Sequence, residues 1–296
     1  MTLFLTYLIN GLSLGSVYAI IALGYTMVYG IAKMLNFAHG DVIMIGAYVC
    51  FFMISKFNLP IIVSIVIAVV ICLLLGIIIE KLAYKPLRKA SSLSVLITAI
   101  GVSYFLQNSA QLLWTSNNKI FPSVAEGSFT LLDGKLNISY LSIITIVTCI
   151  VIMILLTLFI NNTKLGLAMR ASSEDKDAAR LMGINVNSTI SATFAIGSGL
   201  AAIASFLFCA QYPSVTPTLG SMPGIKAFTA AVFGGIGSIP GALLGGLILG
   251  LLETFSKAYI STQLSDIIVF AALIIVLLIK PTGLLGKKER EKVWVF

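Results

Sequence analysis

The sequence predicts an all-α, polytopic transmembrane helical bundle of about eight or nine spans, and three observations carry that reading. Hydrophobic residues make up 58% of the 296-residue chain and charged residues only 10%, against about 45–50% and about 25% in a soluble domain. The mean hydropathy is +1.05. The apolar residues, about 170 at 58% of 296, give room for roughly eight helices of about 20 residues. They fall in continuous runs, not in the alternating stretches of about ten residues that outer-membrane strands require. A soluble globule and a β-barrel are both excluded.

The runs lie at about 3–30, 38–55, 60–80, 91–114, 140–160, 189–210, 222–236, 240–258 and 263–279. No basic residue precedes Lys33, so the first run lacks the positive leader of a cleaved signal peptide and is expected to stay as a span. Runs 222–236 and 240–258 are short and joined by the Gly-rich turn Phe233-Gly-Gly-Ile-Gly-Ser-Ile-Pro-Gly241. They either span separately or form a re-entrant pair within 222–258. The spacings Gly241 to Gly245 and Gly246 to Gly250 read as small-xxx-small packing faces. Cys50, Cys72, Cys149 and Cys209 each sit in a separate run without a partner at ligand spacing. They read as buried small hydrophobes, with neither a metal site nor a disulfide framework.

The 19 basic residues, against 11 acidic ones, are not concentrated as a nucleic-acid face would need. With the N-terminus outside, the cytoplasmic gaps hold Lys33; Lys81, Lys85, Arg88 and Lys89; Lys164, Arg170, Lys176 and Arg180; and Lys280, Lys287, Lys288, Arg290 and Lys292, which makes 14. The opposite gaps hold the remaining 5, Lys56, Lys119, Lys135, Lys226 and Lys257. The positive-inside rule then places the C-terminus in the cytoplasm. The outer loop, 115–139, contains Pro122, Gly127 and Gly134, which favour turns over a long helix.

The inner loop, 161–188, reads as a surface helix of about ten residues within Ser172-Ser-Glu-Asp-Lys-Asp-Ala-Ala-Arg-Leu-Met-Gly183. The serine pair would cap it, Glu174 and Asp175 would occupy its first turn, and Gly183 would stop it. Ala178, Leu181 and Met182 would form a small apolar patch among charges, suited to a partner.

No catalytic set is visible. A phosphate-cradling G-x-x-x-x-G-K-[ST] loop is missing from the sequence, His39 is far from Ser198 and forms no serine-protease arrangement with it, and the acidic cluster Glu174, Asp175 and Asp177 belongs to the surface helix. The chain is expected to be a transport subunit, not an enzyme, with no metal and no cofactor of its own. In run 91–114, Ser103, Gln107 and Gln111 recur at i, i+4 and i+8 with Asn108 adjacent. Bare amides in hydrocarbon are costly, so this stripe should face other helices or a wet solute path. His39 and Asp41 are expected at the interfacial start of a span, with Asp41 near the positive end of its helix. Glu253 and Asp266 read as buried structural partners or as transport groups.

Several long strings resemble one family. Gly11-Leu-Ser-Leu-Gly-Ser-Val-Tyr-Ala-Ile20, Gly24-Tyr-Thr-Met-Val-Tyr-Gly30, Asn36-Phe-Ala-His-Gly-Asp41, Thr163-Lys-Leu-Gly-Leu-Ala-Met-Arg-Ala171, Met182-Gly-Ile-Asn185 and Lys226-Ala-Phe-Thr-Ala-Ala-Val-Phe-Gly-Gly-Ile-Gly-Ser-Ile-Pro-Gly241 look like the permease subunit of branched-chain amino-acid ABC transporters, and the length is similar to that of the smaller of its two permeases. The resemblance implies a single transmembrane permease domain, 1–296, in a bacterial cytoplasmic (inner) membrane. It implies a sister permease subunit, two cytoplasmic ATPase subunits that bind ATP-Mg, and an extracytoplasmic amino-acid-binding protein that delivers leucine, isoleucine or valine. The segment around 164–185 would contact an ATPase, through Glu174, Asp175, Arg180, Leu181, Met182 and Gly183. Related permeases carry urea or short amides. An ion-coupled secondary transporter is the remaining alternative, although it would want paired acidic groups deep in several spans.

The charge asymmetry has a direct test. The thiol of Glu126→Cys should react with an impermeant reagent added outside intact cells, and that of Lys176→Cys should not; reversed labelling would overturn the orientation.

Overall fold

The computed structural model describes residues 2–88, 90–124, 127–131 and 136–286. Position 126, Gly134, Lys89, Lys135, Lys287, Lys288, Arg290 and Lys292 lie outside the described residues. All nine apolar runs are helices: α1 (Thr2–Ala32), α2 (His39–Ser55), α3 (Ile61–Ile79), α4 (Ser92–Trp114), α5 (Tyr140–Asn162), α8 (Val186–Gln211), α9 (Ser221–Gly234), α10 (Ile239–Tyr259) and α11 (Ser265–Ile279). Two further helices, α6 (Lys164–Glu174) and α7 (Lys176–Leu181), fill the inner loop.

Local chemistry sets many of these boundaries. Side-chain oxygens of Ser91, Ser139, Asn185 and Ser238 accept from backbone N–H groups in the first turns of α4, α5, α8 and α10, satisfying donors that a helix start leaves orphaned. Helix α3 continues through a π turn, Glu80–Tyr84, and a 3-10 turn, Lys85–Leu87. There the buried Glu80 carboxylate accepts from Arg88 and Ser191, tying the end of α3 to α8.

Six helices, α1, α3, α4, α5, α8 and α10, are long and apolar enough to cross a membrane. The question left open over 222–258 is thereby divided. Helix α10, at 21 residues, spans by itself. Helix α9 has 14 residues, about 21 Å at 1.5 Å per residue, short of the roughly 30 Å hydrocarbon layer. It follows the coil 212–220, and the turn after its far end brings Gly237 beside Gly30 near the end of α1.

The outer loop forms a hairpin of β1 (Ser128–Leu131) and β2 (Leu136–Ser139), antiparallel with Ser128 opposite Ser139. Lys119 and Val215 pair as an isolated bridge, which brings the C-terminal ends of α4 and α8 to one side.

Packing repeats in the two halves of the chain. Helix α1 lies on α10 and α9 as α8 lies on α3 and α2; α2 packs on α3 and α4 as α9 packs on α10 and α11. The N-terminal region of α7 bonds the end of α1, through Lys176 Nζ and the Ala32 carbonyl at 2.7 Å, so α8, which follows α7, starts where α1 stops. The two units are therefore related by an inverted arrangement, as in many transporters with internal repeats. Their long first helices, α1 and α8, are the buried centre of the bundle. Helices α3, α4 and α5 turn rows of Leu, Ile and Val outward, which suits lipid or an apolar subunit surface.

The glycine spacings predicted as packing faces serve two neighbours. A Cβ on Gly241 or Gly245 would meet the backbone of α9 at Gly234 or Ala230, whereas one on Gly246 or Gly250 would meet Ala19 or Gly15 of α1. A Cβ on Gly250 would lie 2.2 Å from the Gly15 backbone, below any van der Waals distance, so α10 touches α1 only because both lack side chains there. The Gly250→Leu variant should force the helices apart and lower the stability of the detergent-solubilised protein by about 1–3 kcal/mol. Gly101→Ala, where a new Cβ meets nothing within 4 Å, should leave the melting temperature unchanged.

Candidate functional site

The two short helices, α2 and α9, begin inside the bundle and meet at their N-termini. A Cβ on Gly220 would lie 1.7 Å from the carbonyl oxygen of Gly40, and one on Gly224 would lie 2.9 Å from the Gly40 Cα. Backbone rests on backbone. His39 and Asp41, expected at a membrane interface, are instead buried in the interior at 1% and 2% exposure. The reason is that the coil 33–38 climbs back from the end of α1 before α2 starts. The His39 ring packs edge-on to Tyr25 at 4.6 Å.

Helix α4 runs beside α2 in the same direction. Gln107 Nε2 donates to Asp41 Oδ1 at 2.8 Å, and seven residues further along each helix Tyr48 stacks on Trp114 with centroids 4.4 Å apart. The same Gln107 amide reaches the hydroxyls of Ser103 at 3.2 Å and Ser221 at 3.3 Å. These groups form the polar floor of a cavity of about 360 Å³ between α2, α4 and α9, within the range of about 300–1,000 Å³ found for small-molecule sites. Its apolar walls include Phe37, Leu96, Ile100 and Ile225.

Of the predicted stripe, Ser103 and Gln107 line this cavity. Asn108 and Gln111 stand outside it on the exposed side of α4, with Asn108 donating to its own helix at the Tyr104 carbonyl. A period of four residues drifts around a helix of 3.6 residues per turn, so a stripe longer than two turns leaves the face on which it began. Sequence reasoning missed Ser221 and the link from Asp41 to Gln107, since the partners of Gln107 lie 66 and 114 residues away.

A second polar cluster fixes α9. Lys226 Nζ contacts Glu253 Oε1 at 2.8 Å and Asp266 Oδ1 at 2.7 Å, Lys257 Nζ contacts Glu253 Oε1 at 2.6 Å, and the Tyr18 hydroxyl donates to Glu253 Oε2 at 2.8 Å. Lys226 and Lys257 are therefore held inside helices rather than in outer gaps, which removes two charges from the sparser side of the predicted distribution. Glu253 and Asp266, the acidic groups an ion-coupled carrier would need, are engaged in holding α9, α10 and α11 together.

The inner loop departs from its predicted form. It contains two helices, not one of about ten residues. Thr163 caps α6, accepting from Gly166 N at 3.0 Å, and Ser172 is buried near its end. Glu174 closes α6. Asp175 then turns extended and caps α7, its Oδ1 accepting from the backbone N–H groups of Asp177 and Ala178 at 2.8 and 3.1 Å. A carboxylate at a helix N-terminus gains from both the free donors and the dipole, and so outcompetes the serine pair. Arg180 pairs with Asp177 at 2.9 Å. Gly183 stops the turn with φ +81°, a conformation that glycine adopts without steric cost. Leu181 and Met182 project at 89% and 83% exposure. Lys176 is held below the usual lysine range by burial, with the nearby cations Arg88, Lys33 and Arg180 adding to the effect.

Residues 7–277 match a family described as the branched-chain amino acid transport system / permease component. The chain is 46% identical, over 98% of both sequences, to the high-affinity branched-chain amino acid transport system permease protein BraD of Pseudomonas aeruginosa. The same identity and coverage hold for the corresponding permease protein LivH of Escherichia coli K12. A probable branched-chain amino acid transport permease protein LivH of Methanocaldococcus jannaschii is 30% identical over 90% of this chain and 88% of its own. With nearly the whole bundle matched, from the second turn of α1 to the last turn of α11, the chain belongs to the branched-chain amino acid transport permease family.

Proposed function

We propose that the chain is the membrane-spanning permease of an ABC importer that moves leucine, isoleucine or valine inward across the bacterial cytoplasmic membrane. The observation that carries this reading is the cavity at the junction of α2 and α9, with polar groups on its floor and aliphatic walls. A zwitterion with an apolar side chain cannot cross hydrocarbon unaided, and that combination of surfaces answers both of its parts. The names of the relatives supply the amino-acid class.

The chain works beside a sister permease subunit, with an extracytoplasmic amino-acid-binding protein on the outer side and two ATPase subunits on the inner side. ATP-Mg is bound by those ATPases, and this chain contributes no cofactor site. The inner loop 161–188 and the C-terminus face the cytoplasm, while the outward rows of α3, α4 and α5 meet lipid and the sister subunit. Discrimination among aliphatic side chains is left to the binding protein, so the path itself needs only weak affinity, which permits rapid release.

Closure of the ATPase dimer moves α7, docked through Leu181 and Met182. The Lys176 ammonium bonds the carbonyl of Ala32, the last residue of α1, and the coil 33–38 leads from there directly to Asp41. A displacement of α7 thus reaches the cavity through one hydrogen bond and a short stretch of backbone. The inverted packing of the two halves supports rigid-body rocking about the α2–α9 junction as the switch between inward and outward access.

Two measurements in proteoliposomes containing all subunits test this. Gln107→Leu removes the amide from the cavity floor and should lower leucine uptake while the variant still co-purifies with the ATPases; normal uptake would reduce the floor to packing. Truncating buried apolar anchors costs on the order of 1–3 kcal/mol of docking each. Since about 1.4 kcal/mol is tenfold in an equilibrium, Leu181→Ala combined with Met182→Ala should weaken ATPase association severely. Gly183→Val, which opposes a left-handed turn, should uncouple hydrolysis from uptake with the spans still folded. Normal substrate-stimulated hydrolysis and uptake in both variants would exclude α7 as the coupling element.

A further inference from the structure

The carboxylate of Asp41 is the unexplained group in this molecule. It is 2% exposed, sits in the first turn of a helix that begins inside the bundle, and faces a cavity large enough for a small solute. An ionised group at such depth is costly unless paired. Among the described residues, the ion pairs within the helices leave Asp41 out: Lys226 and Lys257 are both taken by Glu253 and Asp266. What Asp41 has is the Gln107 amide at 2.8 Å, a hydrogen bond from the Ser103 hydroxyl and the positive end of α2, which favours its anionic form.

We propose that Asp41 is the binding residue for the ammonium group of the transported amino acid. The amide nitrogen of Gln107 marks the place. It lies within hydrogen-bond reach of three oxygens at once, on Asp41, Ser103 and Ser221. A protonated amine has three N–H donors, so an ammonium taking that position meets one negative and two neutral acceptors and releases Gln107 to turn toward the cavity. The freed Gln107 amide then donates to the substrate carboxylate. Leu96, Ile100 and Ile225 line the remaining wall and receive the aliphatic side chain. The site would thus prefer a cation-bearing solute to a neutral one, and its occupancy would be felt by both half-helices, because Asp41 belongs to α2 and Ser221 to α9.

This assignment rests on the reading of the chain as an amino-acid permease, and the test separates the two. The reporter is the thiol of Ile100→Cys, on the cavity wall at a position 43% exposed, against a background in which the four native cysteines are buried. The complete complex in proteoliposomes is treated with a small alkylating reagent without ATP or binding protein, alone or with leucine, with 3-methylbutylamine, which keeps the ammonium, or with 4-methylpentanoate, which keeps only the carboxylate. Leucine and the amine should slow alkylation several-fold, and the carboxylate should not. Asp41→Asn should raise the leucine concentration for half-protection about 30-fold, equivalent to about 2 kcal/mol at 1.4 kcal/mol per tenfold. Asp41→Glu should recover part of the loss.

Equal protection by 4-methylpentanoate, or unchanged protection by leucine in Asp41→Asn, overturns the assignment. So does absence of protection by any ligand in a complex that takes up leucine when ATP and binding protein are added. The ligand series needs no change at Asp41, so the assignment stays exposed to refutation if that variant fails to assemble. Failure of the unaltered complex to take up leucine at all would instead overturn the permease reading.

Discussion

Two helices can start in the middle of a membrane-embedded bundle only if their N-termini are enclosed by protein, since hydrocarbon offers no partner for backbone donors. Here the enclosure is the contact of Gly40 with Gly220, where one carbonyl lies so close to the other residue's Cα that no side chain fits between. Much else follows from it. Because α2 and α9 start at that junction, each leaves space on the far side of its first turn. The cavity occupies that space, and Asp41 and Ser221 become its floor rather than the rim of a span. The junction is one of several contacts between the two inverted halves, beside those of α1 with α10 and of α3 with α8.

Charges at this depth fall into two groups with different tasks. Lys226, Glu253, Lys257, Asp266 and Tyr18 satisfy one another across α1, α9, α10 and α11. That network adds to the packing of α9, which is buried along most of its 14 residues. Removing one member of such a set leaves an uncompensated buried charge, which costs far more than the pair contributes when whole. Among the described residues, Asp41 has no such cationic partner. One set of charges is thus closed on itself while Asp41 lines a cavity, within the same few helices.

The outer and inner faces are built by different rules. Inside, glycine contacts allow α10 to touch α1 and α9 on two faces at once, so the centre is held by backbone proximity and dispersion, as expected where lipid removes the hydrophobic driving force between helices. Around α7 the rule changes, and Leu181 and Met182 project outward from the helix end rather than packing against a neighbouring helix. Short polar caps at Asp175 and Thr163 hold α6 and α7 in place, and the bond from Lys176 to the end of α1 joins this layer to the packed interior.

The sequence by itself determined the class and the nine apolar helices, because runs of about 20 apolar residues permit little but helix in a membrane. It also located the exposed inner segment, the stop at Gly183 and the two packing faces of α10, since each depends on residues within a turn or two of one another. It misplaced the cap of α7, where Asp175 and the serines competed over a few residues and only the backbone geometry decided between them. Tertiary structure alone assembled the cavity. Asp41, Gln107 and Ser221 come from three helices separated by 66 and 114 residues, and neither composition nor period records which faces of distant helices will meet. It likewise turned Asn108 and Gln111 away from the floor and drew Lys226 and Lys257 into the bundle. Pairing between remote polar groups is settled by the packing of the apolar surfaces around them, and that packing exists only once the helices are together.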